Sequence, residues 1–339
     1  MASQASRRLV MTLRNCPAAE ADLFAGACEK ACVDIEDRHG ELGAAALVDE
    51  GTVEVLCAWL AAARLNARVQ VAAARLLRRL VTEAYGAPSP GRERARLGGA
   101  VACICAGMRQ HLGHGGVQRA GAACLLLLFR APQLAEASSE AVDVLVAAMR
   151  VHSTQSAVNE ACAGALRNLF MVPRHLDRGG DCLDALVAAL RIHKADAHVV
   201  EHTVGALVNL AATDGNAQAA VEAGALEVLV PALESHTRTP AVCLAACLAL
   251  HNLVWKWPDA QRAARAAGAV PVLQALRQRY SKGRGRLADA DAALLLEAID
   301  RVLHRLEGGL QLGNGRAWAA GSSGTPRSPP VAVSAPHAR

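Results

Sequence analysis

Gly205-Ala206-Leu207-Val208-Asn209-Leu210-Ala211 decides the fold, because the chain repeats it. Gly164-Ala165-Leu166-Arg167-Asn168-Leu169 precedes it and Ala249-Leu250-His251-Asn252-Leu253 follows, setting the asparagines 41 and 43 residues apart. A period of that length, written in Ala and Leu, marks a stack of helical repeats in which each unit leans on its neighbours.

A second series carries the same period independently. Val53-Glu54-Val55-Leu56, Val101-Ala102-Cys103-Ile104, Val142-Asp143-Val144-Leu145, Leu183-Asp184-Ala185-Leu186, Leu226-Glu227-Val228-Leu229 and Val270-Pro271-Val272-Leu273 begin 48, 41, 41, 43 and 44 residues apart. Each opens a helix with apolar residues at i, i+3, i+4 and i+7, the stripe of one buried face. Gly51, Gly99, Gly224 and Gly268 stand two residues before four of these helices, where a left-handed glycine ends a preceding short helix. Each unit therefore reads as a short helix, a glycine turn, a middle helix and a long third helix that carries the Asn phrase.

Thr239-Pro240, Asp196 and Ser156 supply caps for third helices. In earlier units Arg79 and Leu125 take the asparagine's place, and Arg301 takes it in the last, after an enlarged loop from Tyr280 to Arg286. The units run about 1–40, 41–86, 87–131, 132–172, 173–214, 215–258 and 259–306, with the short first helix least clear at Pro173 to Gly180 and Pro88 to Leu97. From 307 to 339 the chain turns to Gly, Ala, Pro, Ser and Arg, a composition that buries too little to fold and predicts a disordered tail.

Composition agrees with an all-α protein. Of 339 residues, 53% are hydrophobic and only 3% aromatic, so Ala, Leu and Val must build closely packed helices. A net charge of +5, spread over this length, makes no strong field for nucleic acid. The eleven cysteines are an odd set, scattered singly or within helices, and read as small core residues in a reducing compartment. No apolar run reaches the roughly 18 residues of a membrane span. A cytoplasmic or nuclear location is expected. The acid-free stretch Met1 to Ala19, with Arg7, Arg8 and Arg14, also fits an organelle-targeting segment, but its Arg8-Leu9-Val10-Met11-Thr12-Leu13 lies one period before Val53 and reads better as a helix of the first unit.

The run from Gly205 to Ala211, followed by Asn216, Val221-Glu222-Ala223-Gly224-Ala225-Leu226 and Leu229-Val230, resembles the armadillo repeat. The resemblance is strongest over 132–306. It implies a right-handed α-solenoid of about seven three-helix units, an armadillo-like superhelix whose third helices line a groove for extended protein segments. Importin-α pairs each groove asparagine with a tryptophan one turn earlier; here Gly164, Gly205 and Leu248 hold those places, which speaks against recognition of a lysine-rich import signal.

The candidate sites follow. An asparagine amide donates and accepts, so Asn168, Asn209 and Asn252 could pair with the backbone of an extended partner, or could instead bond a neighbouring helix. In the first case replacing Asn168 and Asn209 weakens partner binding at an unchanged melting midpoint; in the second the protein melts earlier. Arg75 and Arg79 are the candidate readers of acidic groups. Gly121, Gly164 and Gly205 either leave room for a partner or let helices approach closely. A basic run, Arg277, Arg279, Lys282, Arg284 and Arg286, with Tyr280 among them, could take phosphate, an acidic peptide or RNA.

His111, His152, His193 and His236 stand one period apart, about 8 to 10 Å in a helical stack, too far apart to share a metal. They fit helix C-termini, where an imidazole bonds free carbonyls. Cys103, Cys105, His111 and His114 do not converge on one helix face. No nucleophile elbow, zinc-protease or phosphate-loop motif is present. The reading is a non-catalytic, cofactor-free, monomeric scaffold or adaptor that holds a protein segment; the alternative is a nucleic-acid or phosphate-binding solenoid using residues 75–79 and 277–286.

Overall fold

In the computed structural model the described residues are 4–36, 43–82, 90–131, 135, 139–281 and 289–307. The tail from 308 to 339 and the basic residues Lys282, Arg284 and Arg286 lie outside them. The described residues contain helices and turns and no strand. They fall into two compact units, Met1–Arg174 and His175–Arg339.

The first unit opens with a pair, α1 (Gln4–Asn15) and α2 (Ala21–Glu36). Two trios follow: α3 (Ala44–Asp49), α4 (Thr52–Ala62) and α5 (Ala67–Val81), then α6 (Pro90–Leu97), α7 (Ala100–Gln110) and α8 (Gly115–Leu128). Helices α9 (Glu140–Val151) and α10 (Ser156–Leu169) complete it. The long helices lie side by side in chain order, α2 on α5, α5 on α8 and α8 on α10.

The second unit contains α11 (Gly179–Ile192) and α12 (Ala197–Leu210), then α13 (Asp214–Glu222), α14 (Ala225–Ser235) and α15 (Pro240–Val254), then α16 (Pro258–Ala266), α17 (Ala269–Ser281) and α18 (Asp289–Leu306). Its long helices are neighbours in the same way, α12 on α15 and α15 on α18. Where the short first helix was least legible, Pro173–Arg178 forms only a 3-10 turn, whereas Pro90–Leu97 is a true helix.

Four glycines set the corner between short and middle helices. Gly51, Gly99, Gly224 and Gly268 have φ of 86°, 66°, 80° and 86°, a left-handed backbone in which a side chain would be strained. At the N-terminus, Val10 and Leu13 of α1 are buried, Trp59 Nε1 donates to Leu13 O at 3.2 Å, and Phe24 stacks on Trp59 at 4.1 Å between centroids. Residues 4–15 are thus part of the packed first unit.

Four details differ from the sequence reading. The cap of α10 is Gln155, with Ser156 the first helical residue; a serine next to a polar residue is ambiguous by one position. Asp196 does cap α12, accepting from His198 N and Val199 N, whereas Thr239 makes no side-chain cap bond. Tyr280 and Ser281 extend α17, and Tyr280 is buried with its hydroxyl donating to Thr237 O at 3.2 Å, so this aromatic is not a loop residue.

The fourth concerns register. Asn168 lies thirteen residues after the cap Gln155, as Asn209 lies after Asp196 and Asn252 after Thr239. Counting thirteen from the cap His114 reaches Leu127, so Leu127 and not the buried Leu125 holds the asparagine position in α8. Gly121 is consequently no counterpart of Gly164: a Cβ on it would lie 2.7 Å from the Met108 side chain, which makes it a close-packing residue against α7.

The histidine row joins successive repeats. His111 Nε2 donates to Arg64 O at 2.8 Å and His152 Nε2 to Leu112 O at 2.7 Å, both in the first unit. His236 Nε2 donates to Lys194 O at 2.8 Å in the second, and Tyr280 takes the equivalent role toward Thr237. A second row works within each repeat, with Gln70 bonding Leu60 O and Ala63 O, Gln118 bonding Met108 O and His111 O, and Asn159 bonding His152 O. These amides and imidazoles close carbonyls that a helix end leaves open. Replacing His152 by Ala orphans a part-buried carbonyl and is expected to cost about 1–3 kcal/mol, read as a lower thermal midpoint, while His198→Ala, an exposed control, leaves the midpoint unchanged.

Candidate functional site

The third helices bring one row of side chains to the same register in each unit. In the first it runs Val33, Arg79, Leu127 and Asn168; in the second, Asn209, Asn252 and Arg301. The two rows contain all five of the expected groove residues except Arg75, which lies one turn before Arg79 on α5.

The asparagines are engaged with the framework. Asn168, 5% exposed, donates from Nδ2 to Leu126 O of α8 at 2.9 Å. Asn252 does the same to Val208 O of α12 at 3.0 Å. Asn209 is buried in α12. Gly164 and Gly205, one turn earlier, are buried as well.

The arginines are placed differently. Arg75 is exposed, Arg78 and Arg79 are half-buried, and all three approach the Cys32 thiol on α2, where their charges oppose the upward push of burial on its pKa. Beside Cys32, Val33 is 65% exposed. Neither Arg75 nor Arg78 has a carboxylate within ion-pair distance among the described residues. Elsewhere in this unit arginines do: Arg7 pairs with Glu50, Arg94 with Glu54 and Arg109 with Glu140. Of the basic run near 280, Arg277 is paired with Asp300 at 2.8 Å and Arg279 is half-buried.

In the second unit a cluster forms between α15 and α18. His251 and Trp255 have ring centroids 4.9 Å apart, and the Arg305 guanidinium lies 3.8 Å above the Trp255 ring. Arg301 pairs with Glu297 one turn back at 2.5 Å. His251 Nδ1 is buried without a hydrogen-bond partner among the described residues. Burial, then the charges of Arg301 and Arg305, push the His251 pKa down to about 4. The sequence placed Arg301 at the asparagine position but did not show the convergence of His251, Trp255 and Arg305, which requires two helices about 50 residues apart in the chain to be in register.

The remaining polar candidates are structural. His111 is bonded to Arg64 O, and His114 caps α8 by accepting from Val117 N at 3.3 Å. Cys105 is buried and Cys103 half-buried; burial holds the Cys105 thiol up at about 12. All eleven cysteines are free thiols. Among the described residues no three His, Cys, Asp or Glu side chains group as metal ligands, and no helix is long and apolar enough to cross a membrane.

No protein-family model matches the sequence, and no curated protein does. Solved structures do. A crystal structure of an engineered protein is 26% identical, with a TM-score of 0.69 over 90% of this chain and 69% of that one. A structure from work on a phosphorylation switch controlling the interaction between cadherin and beta-catenin is 16% identical, with a TM-score of 0.58 over 89% of this chain and 69% of that one. A designed armadillo repeat protein, 16% identical, aligns over 88% of this chain and 99% of its own with a TM-score of 0.45. The class is therefore an all-α helical-repeat protein. Its fold is that of the armadillo repeat.

Two outcomes follow from this geometry. Asn168→Ala combined with Asn252→Ala leaves two carbonyls unpaired and should lower the thermal midpoint, at about 1–3 kcal/mol for each site. Because His251 is held neutral well below its ordinary value of 6.5, the stability it contributes is complete above about pH 6.5 and is lost as pH falls toward 4. After allowance for solvent screening the effect is on the order of 1 kcal/mol; the fall in midpoint between pH 7 and 5 should be smaller in His251→Asn than in the parent.

Proposed function

We propose that this chain is a non-catalytic protein-interaction scaffold that holds a segment of a partner along the face its third helices form within a unit. The observation that carries the reading is the patch on α2 and α5. Arg75, Arg78 and Arg79 crowd beside Cys32 and the exposed Val33, and among the described residues no carboxylate lies within ion-pair distance of Arg75 or Arg78. A cationic patch beside apolar surface suits a partner segment that mixes acidic and apolar residues. The similarity to a structure concerned with the interaction between cadherin and beta-catenin supports a protein-binding role for this fold.

In this reading Arg75 and Arg79 meet acidic groups of the partner. Asn168, Asn209 and Asn252 border the same rows. With the amide nitrogens of Asn168 and Asn252 already donating to adjacent helices, their contact with a partner is secondary to that of the arginines. Seven units over 1–306 remain the proposed organisation, with the scaffold acting as a monomer in the cytoplasm or nucleus.

The test is co-capture with the full chain as bait, followed by binding of the purified partner. Arg75→Glu with Arg79→Glu should weaken that binding by about tenfold or more, which is about 1.4 kcal/mol, whereas Arg109→Glu, outside the patch, leaves it intact. Equal binding by both variants refutes the patch. A partner that proves to be nucleic acid, with affinity falling steeply as salt rises, replaces the proposal with the phosphate-binding alternative.

A further inference from the structure

The cluster between α15 and α18 is not used by the framework as the equivalent positions elsewhere are. At the register where Asn168 and Asn252 bond a neighbouring carbonyl, α18 carries Arg301, which turns to Glu297 on its own helix. That exposed pair is easily exchanged, since such pairs contribute little. One turn on, the guanidinium carbon of Arg305 lies 3.8 Å from the centroid of the Trp255 ring. A guanidinium held by its charge over an aromatic ring still carries N–H donors at its edge, and such a fork can receive a carboxylate through two parallel bonds. Among the described residues Arg305 has no ion-pair partner.

Three observations give the cluster a direction. Burial, and after it the charges of Arg301 and Arg305, keep the nearby His251 neutral, so the two guanidinium groups present net positive charge to an incoming anion. Trp255 is 40% exposed and offers an apolar plane beside those donors. Leu294, 46% exposed, lies seven residues before Arg301 on the same face of α18. From Leu294 to Arg305 is about 16 Å along the helix, the span of roughly five residues of an extended peptide. Glu297 stands between the apolar and cationic ends and would repel a continuous line of phosphates.

We infer that the α15–α18 face is a docking site for a short extended peptide that places acidic side chains on Arg301 and Arg305 against Trp255 and an apolar side chain near Leu294. This rests on the scaffold reading and gives the second unit its own partner chemistry, separate from the patch on α2 and α5.

The probe is the fluorescein-labelled peptide Leu-Ser-Gly-Glu-Glu, followed by fluorescence anisotropy with the full chain at low salt. Binding is expected to weaken by about tenfold or more when both Glu are changed to Gln, and by a similar factor in Arg301→Gln with Arg305→Gln. Arg262→Gln, which alters an exposed pair with Asp259 on α16, should bind as the parent does. Circular dichroism and the thermal midpoint establish that the double variant is folded; should it not be, Arg305→Lys, which keeps the charge and loses the planar fork, gives a partial loss instead.

Equal affinity for the Glu and Gln peptides overturns the inference, as does undiminished binding to the folded double variant. Binding only of a phosphoserine version overturns the carboxylate assignment, and tighter binding of a single-stranded oligonucleotide overturns the peptide. Hydrogen exchange separates this proposal from the broader one. If the Glu peptide fails while the captured partner still protects α2 and α5, only the α15–α18 site falls; if that partner protects no third helix, the scaffold reading falls as well.

Discussion

A helix end leaves carbonyls without partners, and in this protein the neighbouring repeat supplies the missing donors. That requirement organises each unit. Arg64 O and Leu112 O, just beyond the ends of α4 and α7, are closed by His111 and His152 from the following repeat, and Lys194 O and Thr237 O by His236 and Tyr280. Near the ends of the third helices, Leu126 O and Val208 O are closed by Asn168 and Asn252. A repeat of about 42 residues is too small to bury its own faces, and these bonds show that it cannot complete its own backbone either. The side chain that closes each carbonyl also fixes the step from one repeat to the next, because an imidazole or amide reaches its partner at only one register.

This constraint separates two kinds of position on the third helices. Residues that pack or close carbonyls keep their chemistry from repeat to repeat, and most are buried. The row at the asparagine register is less uniform, and its letter changes to Val33, Arg79, Leu127 or Arg301. A framework of uniform stitches thus presents a variable surface. Binding in such a protein is set by the departures from the repeat and not by the repeat itself.

The sequence exposed the framework more fully than the site, for a physical reason. Helix spacing, the left-handed glycines and the histidine row are local or periodic signals, and the corners at Gly51, Gly99, Gly224 and Gly268 adopt the backbone their spacing predicts. Register was harder in α8. A run of four leucines from Leu125 to Leu128 offers no polar landmark, so the asparagine position could not be placed until the cap at His114 was visible. Tyr280 misled because a basic run looks like a loop, whereas its ring fills the core and its hydroxyl takes over the histidine's bond. The asparagines were legible as a ladder but not in what they hold, since an amide serves a neighbouring helix and a partner's backbone equally well.

The charge distribution carries the argument from framework to function. Between repeats, exposed pairs such as Arg68 with Glu29 and Lys256 with Asp214 balance charge without adding much stability. Among the described residues, cations outside that balance include Arg75 and Arg78 on a third helix of one unit and Arg305 on a third helix of the other. In α18 an arginine stands where an asparagine would have stitched, and burial, then the charges of Arg301 and Arg305, lower the pKa of His251, whose Nδ1 is buried without a hydrogen-bond partner among the described residues. At the asparagine register elsewhere a neutral amide closes a carbonyl of the neighbouring helix, whereas Arg301 pairs with its own helix. An arriving carboxylate meets Arg305, which has no ion-pair partner among the described residues, and can draw Arg301 from its exposed pair with Glu297, so the arrangement favours an anionic partner.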